Sequence, residues 1–462
     1  MNQFKLNPEK VALWSGGIWQ EARMPKQIAG FCFDARTIKP DECFVALSCG
    51  QRDGHEFVQQ ALDNGAGSLL LERSQAVELP QLVVSDSLTA MGAIASEVRG
   101  QFSGPVIGIT GSCGKTSTKE MLRLLCGNEK THATPGNWNN LIGVPMTLFG
   151  LNDDLHEFAI IEAGINQPGE MSALGSMIHA NLTIVTNIGP AHLELLGSLE
   201  NVAAEKSFLT AYSEVDAPVL MPADVAKYSA FLDYMNRAII LAEADEELDV
   251  EPMHIVRYGL EVSGAGLSKL FLRDGDTVQR FEIASPSGGM CVNAALAIVA
   301  ARYSGIPDAD IKERLLKWSP TSNRGCIRKY GRQTFYIDCY NANPSSMVDA
   351  FAAFSRSVPS KEPRCYVVGT MNELGENSAD MHRETAAKIE LCSGDKLFFV
   401  GPEALTRAFT KGSIEKGANP SQIETVANVD MIKSAVSSFS GNIFLKGSRS
   451  HQLEKILPQE VV

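Results

Sequence analysis

Short apolar runs alternate with polar segments of helical character along most of this chain. In the first hundred residues, Cys43–Leu47, Ser68–Leu71 and Gln81–Val84 predict strands, and Glu56–Asn64 predicts a helix that Gly65 stops. Val98–Pro105, carrying Gly100, Ser103, Gly104 and Pro105, predicts a boundary. Beyond it, Val106–Thr110, Phe158–Glu162 and Leu182–Asn187 read as strands and Thr116–Cys126 as a helix. Strands alternating with helices imply a mainly parallel sheet covered on both faces. Near Lys317–Asn323 the pattern restarts, with strands expected at Thr334–Asp338, Cys365–Gly369, Lys396–Val400 and Ile443–Lys446. The expected fold class is α/β in three domains, over residues 1–103, 104–317 and 318–462, without solenoid repeats.

Composition narrows the function. A chain of 462 residues suits about three domains. Forty-one Lys+Arg against 54 Asp+Glu, a net charge of −13, argues against binding nucleic acid through a basic surface, though a local anion site needs only a few donors. The longest strongly apolar stretch, Val292–Ala301, is about half a membrane span, so no transmembrane helix is expected. The start, MNQFKLNPEKVALW, does not read as a signal peptide, and ten scattered cysteines without a CxxC pair read as reduced thiols. A soluble, cytoplasmic protein is expected.

The sharpest motif is VIGITGSCGKTSTKEML, Val106 to Leu122. An apolar strand enters a turn of Gly111, Ser112, Cys113 and Gly114, and Lys115, Thr116 and Ser117 open a helix. The glycines let successive N–H groups point at one anion, to which the helix N-terminus adds partial positive charge. Lys115 reaches terminal phosphates, and the Thr116 hydroxyl is placed to ligate Mg²⁺. The form is TGxxGKT[ST], because Ile109 stands where the strict phosphate-loop pattern has glycine. The alternative is a Gly-Lys pair in an ordinary strand–helix turn.

Ligands of parallel α/β sheets gather at the C-terminal strand ends. Glu162 ends one strand, and Asn187 and His192 follow the next. A carboxylate beside the Thr116 hydroxyl suits Mg²⁺; a solvent-facing strand end is the other reading of Glu162, and a structural histidine that of His192. In PGNWNNLIGVP, Asn137, Asn139 and Asn140 suit a polar, sugar-bearing or phosphorylated ligand, and equally a turn.

Together these segments resemble the Mur ligase family, ATP-dependent amide ligases of peptidoglycan precursor synthesis. TGSCGKTST, GNWNN, the Glu162 strand and NIGPAHLELLGSLENVAAEKSFL are similar to that family's central domain. DARTIKPDECFVAL and RDGHEF are similar to its uridine-nucleotide domain; IDCYNANPSSM, VVGTMNELGENSADMH and LKGSRSHQLE are similar to its Rossmann-like C-terminal domain. The YNANPxSM and GxMxELG segments are most similar to the member that adds D-alanyl-D-alanine to UDP-N-acetylmuramoyl-tripeptide. The resemblance implies ATP, two Mg²⁺ ions, those two substrates and a monomer. It implies that Lys206 is carbamylated and, with His192, holds a second metal; Lys115, His192 and Lys206 are then catalytic. From the residues alone, Lys206 reads as a solvated helix lysine. Asn293 is implied near the adenine, Arg324, Asp338 and Asn341 at the nucleotide, and Asp34, Ala35, Arg36, Asn137, Asn140, Tyr340, Asn343, Lys446, Ser448 and Arg449 at substrate. Gly289–Met290 stands where the family has a His-Asn pair, Cys339 where it has serine, and Thr370 where it has aspartate.

The implied chemistry fits the residues. A carboxylate is unreactive towards an amine, so ATP first converts it to an acyl phosphate, with Lys115 and metal offsetting the gathered charge. A mobile domain would shield that intermediate from water. A phosphate-loop switch or motor would explain the loop but neither the uridine-type segment nor YNANP; a family member with another acceptor is the nearer rival.

Overall fold

Each stretch of alternating strand and helix closes into its own sheet in the computed structural model, which describes residues 5–50, 52–264, 267–359 and 361–458. The first sheet runs, in spatial order, Ile18–Trp19, Gln81–Val83, Ser68–Leu71, Cys43–Val45 and Phe31–Cys32, parallel except for its first strand. The predicted strands are all present, while Glu56–Asn64 divides into a 3₁₀ turn (Gly54–Phe57) and a short α-helix (Val58–Asp63).

A helix that the sequence pattern did not single out, α1 (Ser87–Gln101), follows this sheet. The Asp86 carboxylate caps it by accepting from the Thr89 N–H at 2.6 Å. Its Ala90, Met91, Ile94, Ala95 and Val98 are buried in a core holding residues of both the first and second sheets. Small residues permit that depth, since a Cβ on Gly92 would stand 2.6 Å from Met177 Cε. The expected boundary stretch Val98–Pro105 thus begins inside a helix.

The central sheet has nine strands among the described residues. From one edge they run Thr131–Ala133, β2 (Phe158–Glu162), β1 (Val106–Thr110), β3 (Leu182–Val185), Val219–Pro222, Ala238–Glu243 and His254–Glu261, all parallel. Ser268–Asp274 and Thr277–Ile283 then add an antiparallel hairpin. Mainly parallel order holds, and β1, β2 and β3 lie side by side, so their C-terminal ends meet at one crevice. Helix α2 (Lys115–Cys126) leaves β1, α3 (Leu199–Ala211) follows β3, and α4 (Gly288–Tyr303) returns against α2.

The last sheet runs Cys326–Tyr330, Gln333–Ile337, Gly441–Lys446, Arg364–Gly369, Lys396–Val400 and Ile423–Val426, with only Cys326–Tyr330 antiparallel. Helix α5 (Pro344–Ser357) covers part of it. Its two apolar clusters contain residues from Cys326 onward alone.

Candidate active site

The loop between β1 and α2 is clamped by the end of β3. Gly111 has φ +145°, and a Cβ there would lie 1.9 Å from Thr186 Oγ1; Gly114 has φ +82°, and a Cβ would lie 2.5 Å from Asn293 Oδ1. Only glycine fits either position. Asn187 accepts from the Ser112 N–H on its carbonyl (3.1 Å) and from the Cys113 N–H on Oδ1 (2.8 Å). Those two N–H groups therefore hold the loop rather than facing an anion. The N–H groups of Lys115, Thr116 and Ser117, in the first turn of α2, have no intrahelical acceptor. Lys115 Nζ donates to Gly111 O at 2.6 Å, and burial holds its pKa below the ordinary lysine value, partly offset by Glu162.

Glu162 is not a solvent-facing strand end: it is 1% exposed. Thr116 Oγ1 lies 3.1 and 2.9 Å from its two oxygens, Asn139 Nδ2 donates to Oε1 at 2.7 Å, and its own N–H donates to Thr134 Oγ1 at 2.9 Å. A buried carboxylate beside a hydroxyl is an all-oxygen donor pair of the kind Mg²⁺ prefers. Lys206, on α3, is not a solvated helix lysine either. It is 1% exposed, and among the described residues it has no hydrogen-bond or ion-pair partner. Burial, reinforced by the charge of Lys115, drives its pKa well below the ordinary value.

His192, at φ +58°, places Nδ1 2.5 Å from Glu373 Oε2 in the third sheet's domain. Its hydrogen bond holds the Glu373 carboxyl below the usual range. With Nδ1 engaged, Nε2 is the ring atom left for a ligand. The third domain brings more groups to the same crevice. The Arg324 guanidinium lies 4.0 Å from the centre of the Tyr340 ring, and its charge helps to lower the Lys115 pKa. Buried Lys446 donates to Asp338 Oδ2 at 2.6 Å and to the Asn341 carbonyl at 3.3 Å.

Other sequence-derived candidates have local structural duties. Asn140 Oδ1 accepts from the N–H groups of Ile142 and Gly143, and Asn343 caps α5. The Ser448 hydroxyl accepts from the Asn372 N–H, and Arg449 pairs with Glu454. Asp34 and Arg36 form a bidentate pair (2.8 and 2.7 Å) on the first domain, which holds the Asp34 carboxyl down to about 2; Ala35 is buried, and its carbonyl accepts from Asn64. Asn137 is exposed. Of the three clustered asparagines, Asn139 reaches Glu162. Its role, like those of Thr186, Asn187 and Glu373, was missed. Asn187 at a strand end, three asparagines in four positions and the glutamate of the GxMxELG segment, Glu373, were the available signals; what the sequence did not carry is that Glu373 meets His192 across domains.

A clamped phosphate loop, a buried metal-type carboxylate at the C-terminal edge of a parallel sheet and a third domain leaning into the crevice define a nucleotide-dependent enzyme of the phosphate-loop class. Residues 109–301 match the Mur ligase middle domain and residues 325–449 the Mur ligase glutamate ligase domain. The chain is 31% identical over 449 residues to the UDP-N-acetylmuramoyl-tripeptide–D-alanyl-D-alanine ligase of Escherichia coli, covering 92% of each. It is 30% identical over 454 residues to that of Treponema pallidum, covering 95% of each. The fold is similar to MurF from Acinetobacter baumannii (TM-score 0.86, 24% identity, 99% and 98% coverage). It is also similar to the MurF ligase of Thermotoga maritima in complex with ADP (TM-score 0.78, 24% identity, 92% and 95% coverage). The chain belongs to the Mur ligase family and is an ATP-dependent ligase. Among the described residues, no helix is long and apolar enough to cross a membrane.

Proposed function

We propose that this enzyme joins D-alanyl-D-alanine to UDP-N-acetylmuramoyl-tripeptide in the cytoplasm, acting as a monomer and releasing ADP and phosphate. The observation that carries the chemistry is the Thr116–Glu162 pair, buried beside a clamped phosphate loop. Residues 1–103 bind the uridine nucleotide with Asp34, Ala35 and Arg36. Residues 104–317 hold ATP at Gly111, Gly114, Lys115, Thr116, Ser117 and Asn293, with Ser112 and Cys113 shaping the loop through Asn187, and residues 318–462 complete the site with Arg324, Asp338 and Asn341. Asn137, Asn140, Tyr340, Asn343, Lys446, Ser448 and Arg449 face the substrates.

Lys115 turns from Gly111 to the terminal phosphates and offsets the charge between them and the tripeptide carboxylate. The resulting acyl phosphate is attacked by the dipeptide amine, and the third domain excludes water. Mg²⁺, held by Thr116 and Glu162 and in a second place by His192 and carbamylated Lys206, would supply further positive charge for phosphoryl transfer. The carbamate is supported by the burial of Lys206 and its depressed pKa, because the neutral amine is the form that combines with CO₂. The test is ADP release. It should require both the UDP-muramoyl tripeptide and the dipeptide, and release without either substrate would refute the assignment.

A further inference from the structure

Lys119, one turn beyond Thr116 on α2, has no place in the reaction above, yet it is 0% exposed. A lysine is rarely buried unless its three N–H donors are all satisfied. Here they are: Nζ lies 2.6 Å from the Thr134 carbonyl, 3.0 Å from the Gly136 carbonyl and 2.9 Å from Glu120 Oε1. Its charge also stands 3.9 Å from Glu162 Oε2. Thr134 leads into the GNWNN loop and Gly136 opens it, and Asn139, near the loop's other end, donates to Glu162. One ammonium thus joins the nucleotide helix, the base of that loop and the carboxylate of the metal pair. Between these anchors Asn137 and Trp138 remain exposed, as does Asn140 just beyond them.

We infer that Lys119 is a positioning residue that presents the loop 135–140 to the UDP-muramoyl substrate. This rests on the proposed function, which makes Asn137 and Asn140 substrate contacts. Without the ammonium, the Thr134 and Gly136 carbonyls lose their shared donor, and the loop keeps its link to α2 only at its far end, through Asn139 and Glu162. Binding of the UDP-substrate should suffer while the phosphate loop, clamped independently by Thr186 and Asn187, keeps its shape.

Binding in metal-free buffer separates the two. In Lys119→Met, with folding verified by circular dichroism, calorimetry should show the Kd for UDP-N-acetylmuramoyl-tripeptide raised about tenfold or more, with the Kd for ADP changed less than about threefold. If that variant does not fold, Lys119→Gln, whose amide keeps two donors, is measured against the same criterion. Glu120→Gln, which leaves both carbonyl bonds, should change neither constant by more than about threefold. Unchanged UDP-substrate affinity in a folded Lys119 variant, or equal loss of both ligands, would overturn the inference. Failure of the wild-type chain to bind the UDP-substrate would overturn the functional reading, and this inference with it.

Discussion

The central domain meets its two neighbours in opposite ways. Towards the first domain the junction is a continuous apolar core: Val11, Leu70, Leu82 and Met91 belong to the same buried cluster as Leu174, Ile178 and Val219. Arg99 seals it, donating to the Ile178 and His179 carbonyls and to Asn181 Oδ1, which in turn accepts from the Val106 N–H at the start of β1. Towards the third domain the contacts are polar. Asp349 on α5 accepts from the Ser287 hydroxyl (2.6 Å) and the Gly289 N–H (3.1 Å), Arg356 donates to the Pro286 carbonyl, and His192 meets Glu373. An apolar junction resists separation because opening it exposes buried area. A polar one exchanges its hydrogen bonds for water at little net cost. By this contrast the first two domains should resist separation as one body, and the junction with the third is the one expected to yield.

The largest effect should come from the site beside the polar junction. Lys115→Ala is expected to lower kcat by on the order of a hundredfold or more, since a charge needed chiefly in phosphoryl transfer is lost. The melting temperature should stay close to wild type, because the clamp on the loop comes from Thr186 and Asn187. Steady-state kinetics beside a thermal melt checks this, and a folded variant with near wild-type turnover would remove the phosphate-loop assignment. The fused junction should behave inversely. Ile94 is 0% exposed on α1, and Ile94→Ala should cost about 3 kcal/mol of stability through lost burial and a cavity. Activity per folded molecule should be unchanged. Urea melts would count against a shared core if the loss were under about 1 kcal/mol.

What was legible in the sequence divides along the same line. Strands β1, β2 and β3 could be read because each is buried on both faces and so appears as an unbroken apolar run. The hairpin of Ser268–Asp274 and Thr277–Ile283 is half-buried and rich in charge, which blurs its run. Helix α1 escaped notice because its Ser, Ala, Thr and Gly residues give a weak periodic contrast, although that smallness lets it sink between two sheets. The phosphate loop was plain because its glycines answer to local geometry. Lys206 looked solvated and proved buried, because burial there is decided by chain segments far away. Asn139 could not be separated from Asn137 and Asn140 before Glu162 was placed opposite it. Gly289, one of the departures from the family pattern, gained a physical reading only when Asp349 appeared across the junction.

A smaller effect comes from acid acting on the fused body. His132 lies in the edge strand of the central sheet with Nε2 2.7 Å from the Thr147 carbonyl, and burial pushes its pKa down to about 4. The folded state disfavours the charged ring, so this group's contribution is fully present above its unfolded pKa of about 6.5 and is lost as pH falls from there towards 4. On the order of 2 kcal/mol of stability should disappear across that window. His132→Gln should flatten the curve in urea titrations at several pH values, and an equally steep variant would assign the loss to other groups.

The smallest effect on stability, and the most direct probe of the polar junction, is Asp349→Ala. The Ser287 and Gly289 donors that lose the carboxylate can be taken up by water, so the cost should be below about 1 kcal/mol. That amount still multiplies the open population about fivefold, because it acts on a balance between two arrangements rather than on folding. The radius of gyration from small-angle X-ray scattering should therefore rise in the ligand-free variant, with the melting temperature nearly unmoved. Asp349→Asn, whose side-chain oxygen can still accept one of the two hydrogen bonds, should fall between. If scattering from Asp349→Ala matched wild type, the junction would be held by other contacts, His192–Glu373 foremost. The contrast between the two neighbours would then rest on the phosphate-loop side of the interface instead of on Ser287, which caps α4.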